Sequence, residues 1–118
     1  IAPGQVDYIS ASANGGRRLD RLEADAMADL FGPSPDGPRI GSVKGAIGES
    51  FSSGGIRAAA MALSLKDSVI PSTLGLEDPL APLNFVRGAK EALPLAHGLV
   101  NGFSSGGTFV SLLMKRLT

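Results

Sequence analysis

The stretch from residue 6 to residue 16 reads Val-Asp-Tyr-Ile-Ser-Ala-Ser-Ala-Asn-Gly-Gly, and it decides the fold class. Residues 6–11 form a short apolar run typical of a buried strand, and the Asn14-Gly15-Gly16 turn closes it. Apolar residues then recur at helical spacing as far as Leu30. A strand that passes through a tight turn into an amphipathic helix is the first part of a β-α unit, so the sequence predicts an α/β fold.

The helix after this turn is predicted to begin at Asp20, because Asp20 and Glu23 have the spacing of a capping box. It is predicted to end before Gly32 and Pro33, and Phe31 should pack at that end. Apolar residues at helical spacing should face the core, and the acidic residues between them should face solvent. The predicted core face comprises Leu22, Ala26, Met27 and Leu30, and the predicted solvent face comprises Glu23, Asp25 and Asp29.

A second β-α unit follows a loop predicted over 33–38. Residues 39–43 are predicted to form a strand, residues 44–49 a glycine-punctuated turn, and an alanine-rich helix runs from about 52 or 54 to 65. The few polar residues of this helix are Arg57, Ser64 and Lys66. A helix that is apolar nearly all round is a buried helix, and a domain of this size seldom buries one on every side. The alanine-rich helix is therefore expected to be covered by other chain.

The C-terminal third is predicted to end in a β-hairpin. An irregular stretch over 72–92, with extended pieces near Phe85, leads to a strand at 98–101, a Gly- and Ser-rich turn at 102–107 and a closing strand at 108–115. The element order is β-α-β-α-loop-β-turn-β. This order is typical of a layered α/β fold with parallel strands joined by helices and a final antiparallel hairpin.

The composition excludes several function classes. Eleven basic residues balance eleven acidic ones, which argues against an electrostatic surface for nucleic acid or an anionic membrane. The chain has no cysteine and one histidine, so a thiolate nucleophile within it is excluded and no metal-ligand cluster is evident. The Ser-Ser-Gly-Gly runs at 52–55 and 104–107 lack the lysine or the spacing of a phosphate loop. A cytoplasmic protein without metal or cofactor, part of a longer chain, is expected.

A family resemblance rests on several segments that occur in order along nearly the whole chain. Residues 7–11 resemble the Asp-Tyr-Ile-Asn-Ala strand of β-ketoacyl synthases, and Asp20 and Glu23 match the acidic residues that open the next helix. The further matching segments are Ser42–Gly48, Leu65–Thr73 and Asn101–Gly107. The resemblance implies the thiolase fold, two similar α/β halves packed as αβαβα layers. Residues 1–118 would be the C-terminal portion of the second half, incomplete without the N-terminal half.

The resemblance also implies a site that has lost its catalytic groups. Family members condense acyl chains with malonyl thioesters, using a cysteine nucleophile, two histidines that stabilise an enolate oxygen, and a lysine. The cysteine would lie in the absent half, the histidine positions correspond to Ser12 and Glu49, and Lys44 matches the lysine. Thr108 stands where relatives often have histidine, and His97 is at no catalytic position. The implied acyl-pocket turn comprises Asn101, Phe103, Ser105, Gly106 and Gly107, with serine at 105 in place of a phenylalanine.

The loss of both histidines indicates a non-catalytic, chain-length-factor-like subunit of a ketosynthase heterodimer, expected to be inactive by itself. Its partners would be the N-terminal half of the same subunit, a catalytic ketosynthase and an acyl carrier protein, with no nucleic acid and no membrane. The product would be a polyketide, polyene or fatty acid of a chain length that the sequence does not specify. Two alternatives stay open: the C-terminal piece of an active 3-oxoacyl-acyl-carrier-protein synthase that is cleaved or split, and a stand-alone binding domain.

Overall fold

The computed structural model describes residues 1–33, 35 and 37–118. The helices are α1 (Arg17–Phe31), α2 (Lys44–Ile47) and α3 (Ser53–Asp67), with a 3-10 turn at Pro3–Gln5. The strands are β1 (Tyr8–Ser10), β2 (Arg39–Gly41), β3 (Val69–Ile70), β4 (Glu91–Ala92), β5 (His97–Ser104) and β6 (Thr108–Lys115). The loop predicted over 33–38 includes Ser34 and Asp36, which lie outside the described residues.

Four strands form one sheet in the order β2-β1-β5-β6. Strand β1 runs parallel to both β2 and β5, with Ile9 opposite Ile40 and Leu99, whereas β5 and β6 form an antiparallel hairpin. Strands β3 and β4 pair separately. The predicted parallel strands and final hairpin are therefore confirmed, and so are the predicted limits of β6. Strand β5 extends to Ser104, so the turn is shorter than predicted.

The sheet lies between α1 and α3, and successive residues of β1 point to the two helices. Ile9 belongs to the cluster on the α1 side and Tyr8 to the cluster on the α3 side. The buried residues on the α1 side are Val6, Ile9, Ala11, Ala24, Met27, Ile40 and Leu83. Those on the α3 side are Tyr8, Met61, Leu65, Ile70, Val86, Leu95 and Val100. The described part of the chain is thus a three-layer αβα unit.

The prediction for the faces of α1 was right at Met27, Asp25 and Asp29, and it was wrong at the remaining positions, which are Leu22, Glu23, Ala26 and Leu30. The helix begins at Arg17 with Gly16 as N-cap, so Asp20 lies inside the first turn. Glu23 is buried, with Ala24 and Met27, against the sheet, and Leu22 and Leu30 are 58% and 59% exposed. A carboxylate can be buried where donors satisfy its oxygens, and Glu23 has three such donors.

Helix α3 also has polar residues on its buried face, and its expected covering by other chain stays a prediction. Its buried residues include Arg57 and Ser64, whereas Ile56 and Leu63 are 57% and 58% exposed. The sheet covers the face that carries Met61, and the opposite apolar face is open in the described part of the chain. This apolar face is what a further layer of protein would be expected to cover.

No helix in residues 1–33, 35 and 37–118 is long and apolar enough to cross a membrane.

Gly98 on β5 is predicted to tolerate no side chain. A Cβ atom there would overlap Sδ of Met61, which is 1% exposed, so the Met61 side chain would have to shift within the core. We expect Gly98→Ala to lower the free energy of unfolding of the full-length protein by about 1–3 kcal/mol through overpacking. Gly102 on the same strand is a matched control, because its Cβ would meet nothing closer than the Val110 carbonyl at 3.9 Å. Chemical denaturation of both variants is the measurement, and equal stability would contradict the prediction.

Candidate functional site

A groove of about 870 Å³ opens beside the carboxyl ends of β1 and β2. Its walls come from the loop after β1, the α2–α3 connection, the first turns of α1 and α3, and the β5–β6 hairpin. In α/β sheets, ligands bind outside the carboxyl ends of parallel strands, where loops rather than ladder bonds determine the surface. The groove is therefore the candidate functional site.

The loop after β1 is held to α1 by two carboxylates. Glu23 accepts hydrogen bonds from the Ser12 amide at 2.8 Å and the Ala13 amide at 3.0 Å. Asp20 accepts them from the Asn14 amide at 3.1 Å and the Gly15 amide at 3.0 Å. Asp20 and Glu23 therefore cap the loop that precedes their helix, and they fix the backbone at Ser12.

Glu23 is itself held by the β5–β6 hairpin. The Asn101 amide donates to its Oε1 at 3.0 Å, and Ser111 Oγ donates to Oδ1 of Asn101 at 2.8 Å. Asn101 was predicted to line an acyl pocket, but it does not line the groove. Both ends of its side chain instead connect strand β6 to the loop that carries Ser12.

Arg57 holds the end of β1 from the α3 side. Its Nη2 donates to the Ser10 carbonyl at 2.9 Å and to the Ala11 carbonyl at 2.8 Å, and the residue is only 2% exposed. Burial lowers the pKa of the Arg57 guanidinium, and the charges of Glu23 and Glu49 oppose that effect. Arg57 thus binds the carbonyls of this segment and Glu23 binds its amides, and together they fix the backbone that leads to the groove.

Lys44 and Glu49 form an ion pair at the groove. Lys44 Nζ donates to Glu49 Oε2 at 2.6 Å, with the lysine side chain 7% exposed and the glutamate 45% exposed. The turn between them reverses at Gly48, which has a φ of 80°. The hydrogen bond from Lys44 lowers the pKa of the Glu49 carboxyl, and the Lys44 charge adds to this effect. Glu49 is therefore ionised at neutral pH, and it accepts one of the three N–H donors of Lys44.

Most of the sequence-predicted site residues meet at this groove. Ser12, Lys44, Glu49, Phe103, Ser105, Gly107 and Thr108 line it. Gly106 and Asn101 do not, and neither does His97, whose Nδ1 lies 3.1 Å from the Gln5 carbonyl. Further residues that the sequence did not predict also line the groove, namely Asn14, Leu19, Asp20, Ser50, Phe51, Ser53, Gly54, Arg57, Gly102, Ser104, Phe109 and Val110. Arg57 had a signal, since it is a charged residue in the first half of a helix whose other charges, Lys66 and Asp67, lie at its C-terminal end.

The walls are apolar where the hairpin forms them. Phe103 and Phe109 pack edge to face, with ring centroids 5.1 Å apart. In residues 1–33, 35 and 37–118, no group of three or more His, Asp or Glu residues could hold a metal ion. The groove therefore provides aromatic surface, hydroxyl groups and one ion pair, in which the charges of Lys44 and Glu49 neutralise each other.

The ion pair predicts a pH dependence of stability. A carboxyl whose pKa is lower in the folded state stabilises that state above its unfolded pKa, and this stabilisation is lost as the pH falls through the folded pKa. We expect Glu49→Gln to cost the full-length protein at most about 1 kcal/mol at neutral pH, since Glu49 is half exposed. Denaturation at a series of pH values should show this difference vanish in acid. A difference that grows in acid would contradict the assignment.

Comparison with known proteins identifies the family. Residues 1–77 match the β-ketoacyl synthase C-terminal domain. The chain belongs to the β-ketoacyl synthase family. The predicted β-ketoacyl synthase family and the thiolase-like fold class are therefore confirmed.

Individual β-ketoacyl synthases are similar over almost the whole chain. The chain is 33% identical to the ketoacyl synthase beta subunit of the tetracenomycin polyketide synthase of Streptomyces glaucescens, covering 98% of this chain and 29% of that protein. It is 30% identical to 3-oxoacyl-[acyl-carrier-protein] synthase 2 of Coxiella burnetii, covering 99% and 29%. The solved ishigamide ketosynthase/chain length factor has a TM-score of 0.92 and 26% identity, covering 100% and 30%. The chain thus spans less than a third of the length of these relatives.

Proposed function

We propose that this chain is the C-terminal part of a non-catalytic, chain-length-factor-like subunit of a ketosynthase heterodimer. One observation carries the proposal. Where the resemblance places two histidines, Ser12 and Glu49 line the groove, and Glu49 pairs with the retained Lys44. All of residues 1–118 would belong to the C-terminal portion of a single synthase-like domain.

The chemistry of the condensation explains why these residues are unsuitable for it. Decarboxylation of a malonyl thioester puts negative charge on an oxygen, and catalysis requires preorganised donors around that oxygen. An ionised Glu49 would repel the enolate, and Ser12 is shorter than histidine and carries no charge. Loss of one such donor costs about 100–1,000-fold in rate, so the loss of two with an added like charge should abolish turnover.

The partners follow from the same proposal. The subunit would need its own N-terminal half, a ketosynthase subunit that supplies the cysteine, and an acyl carrier protein that delivers thioesters. Similarity to a protein named as a beta subunit and to a ketosynthase/chain length factor supports the two-subunit assembly. In that assembly the groove would help to shape the acyl pocket. A cytoplasmic location and the absence of a nucleic-acid partner stay predictions.

The second candidate is the C-terminal part of an active 3-oxoacyl-acyl-carrier-protein synthase that is cleaved or split. The observation in its favour is the 30% identity to the Coxiella burnetii synthase over 99% of this chain. In that case Lys44 and Glu49 would act in the reaction itself.

Decarboxylation of malonyl-acyl-carrier protein separates the two candidates. We expect the full-length protein alone to show no turnover, and the complex with its ketosynthase to turn over until the two histidines of that partner are replaced. In the complex, Glu49→Gln and Lys44→Met should change the rate by no more than about threefold. Lys66→Met, an exposed lysine on α3, is the matched control. Turnover without a partner, or a loss near 100-fold in Glu49→Gln, would favour the active synthase.

A further inference from the structure

The charges around the groove are arranged so that a carboxylate faces the ligand and the cations do not. Among the described residues that line it, the charged ones are Asp20, Lys44, Glu49 and Arg57. Lys44 is nearly buried and bound to Glu49, and Arg57 is bound to the Ser10 and Ala11 carbonyls. Glu49 remains 45% exposed. A ligand that enters the groove therefore contacts the negatively charged carboxylate of Glu49 rather than a cation.

Asp20 is a second carboxylate that lines the groove. Its Oδ1 and Oδ2 accept hydrogen bonds from the Asn14 and Gly15 amides. These amides are backbone groups without net charge. The two cations that line the groove are thus balanced by two carboxylates, and the more exposed member of the Lys44–Glu49 pair is the negative one.

The rest of the groove suits an apolar chain. Leu19, Phe51, Phe103, Phe109 and Val110 contribute apolar surface to its walls. The volume of about 870 Å³ is within the range of ligand pockets, roughly 300–1,000 Å³. An elongated uncharged ligand would bury this surface without leaving a charge next to Glu49.

We propose that the groove selects uncharged acyl or polyketone chains and rejects chains that carry a carboxylate, with Glu49 as the specificity-determining residue. The acyl nature of the ligand rests on the proposed function, whereas the discrimination by charge rests on the Lys44–Glu49 geometry. Like charges a few ångströms apart in a partly desolvated site repel strongly enough to change affinity by about tenfold or more. Such a groove would hold a growing chain and keep a malonyl group out.

Two ligands of equal length test the proposal in the full-length protein with its partner subunit at neutral pH. Dodecanamide is the uncharged probe and dodecanoate is the charged one, and calorimetry measures both affinities. We expect the wild-type protein to prefer dodecanamide. Glu49→Gln should tighten dodecanoate binding about tenfold, because Lys44 loses its counter-ion, and should leave dodecanamide binding within about twofold.

Two further variants separate charge from shape. Lys44→Met leaves Glu49 without a counter-ion, so it should not tighten dodecanoate binding. Asp29→Asn, an exposed carboxylate of α1 outside the groove, should leave both affinities unchanged. This control excludes a general effect of net charge.

Several results would overturn the proposal. These are equal wild-type affinities for the two probes, an unchanged dodecanoate affinity in Glu49→Gln, an equal change for both probes, and failure of every variant to bind either probe. Because the readout is binding, it is independent of the decarboxylation assay. A complex that proved active through Lys44 and Glu49 but kept the preference for dodecanamide would refute the proposed function and support this inference.

Discussion

Arg57→Leu should lower the free energy of unfolding of the full-length protein by about 3–5 kcal/mol, the cost of removing one partner from a buried charged network. The substitution replaces the guanidinium group with an apolar side chain, and so removes the donor that holds the Ser10 and Ala11 carbonyls. It also leaves the buried Glu23 without the nearby positive charge. Chemical denaturation measures the loss.

Lys66→Leu is the control for Arg57→Leu. It removes the same type of charge from the same helix at an exposed position, so it should change stability by no more than about 0.5 kcal/mol. If the two variants were equally stable, the guanidinium of Arg57 would have no role in fixing the end of β1.

Buried charges were what the sequence could not predict. Helical periodicity treats Glu23 and Arg57 as solvent-facing because it cannot detect their distant partners. Glu23 is satisfied by loop amides and by Asn101, which is 78 residues away in the chain, and Arg57 by carbonyls 46 and 47 residues away. The Asp20–Glu23 pair was interpreted as a cap for its own helix, whereas both carboxylates cap the loop before it.

The element order, the parallel strands and the final hairpin were predictable. The limits of β6 follow from its run of apolar and β-branched residues, and the end of α1 follows from Gly32, which has a φ of 80°. Ser12 is far in sequence from Lys44 and Glu49, but all three line the groove, because β1 and β2 are parallel and their carboxyl ends share one edge. The family motifs, matched segment by segment, include these three residues, whereas Asn101, from another such motif, does not line the groove.

The isolated 118-residue chain should show no cooperative thermal transition, the largest effect predicted for this protein. Helices α1 and α3 and the edge strand β6 expose apolar side chains. Large exposed apolar surfaces and unpaired strand edges favour association between molecules. The most exposed of these residues in the elements are Leu22, Leu30, Ile56, Leu63, Phe109 and Val110. Calorimetry and ultracentrifugation are the measurements. A monomer with a sharp two-state transition would instead support the stand-alone binding domain.

Lysine substitutions at two of these positions separate a surface that is buried in the full-length protein from one that is always exposed. Leu30→Lys and Leu63→Lys should reduce association of the isolated chain, because each places a charge on an exposed apolar face. In the full-length protein the same changes should cost about 2–5 kcal/mol each if the remainder of the chain packs on these helices. A surface that stayed exposed in the full-length protein would tolerate both lysines within about 0.5 kcal/mol. Reduced association of the isolated chain, together with a large loss of stability in the full-length protein, would mean that α1 and α3 are inner layers of a larger fold. The family resemblance implies this arrangement.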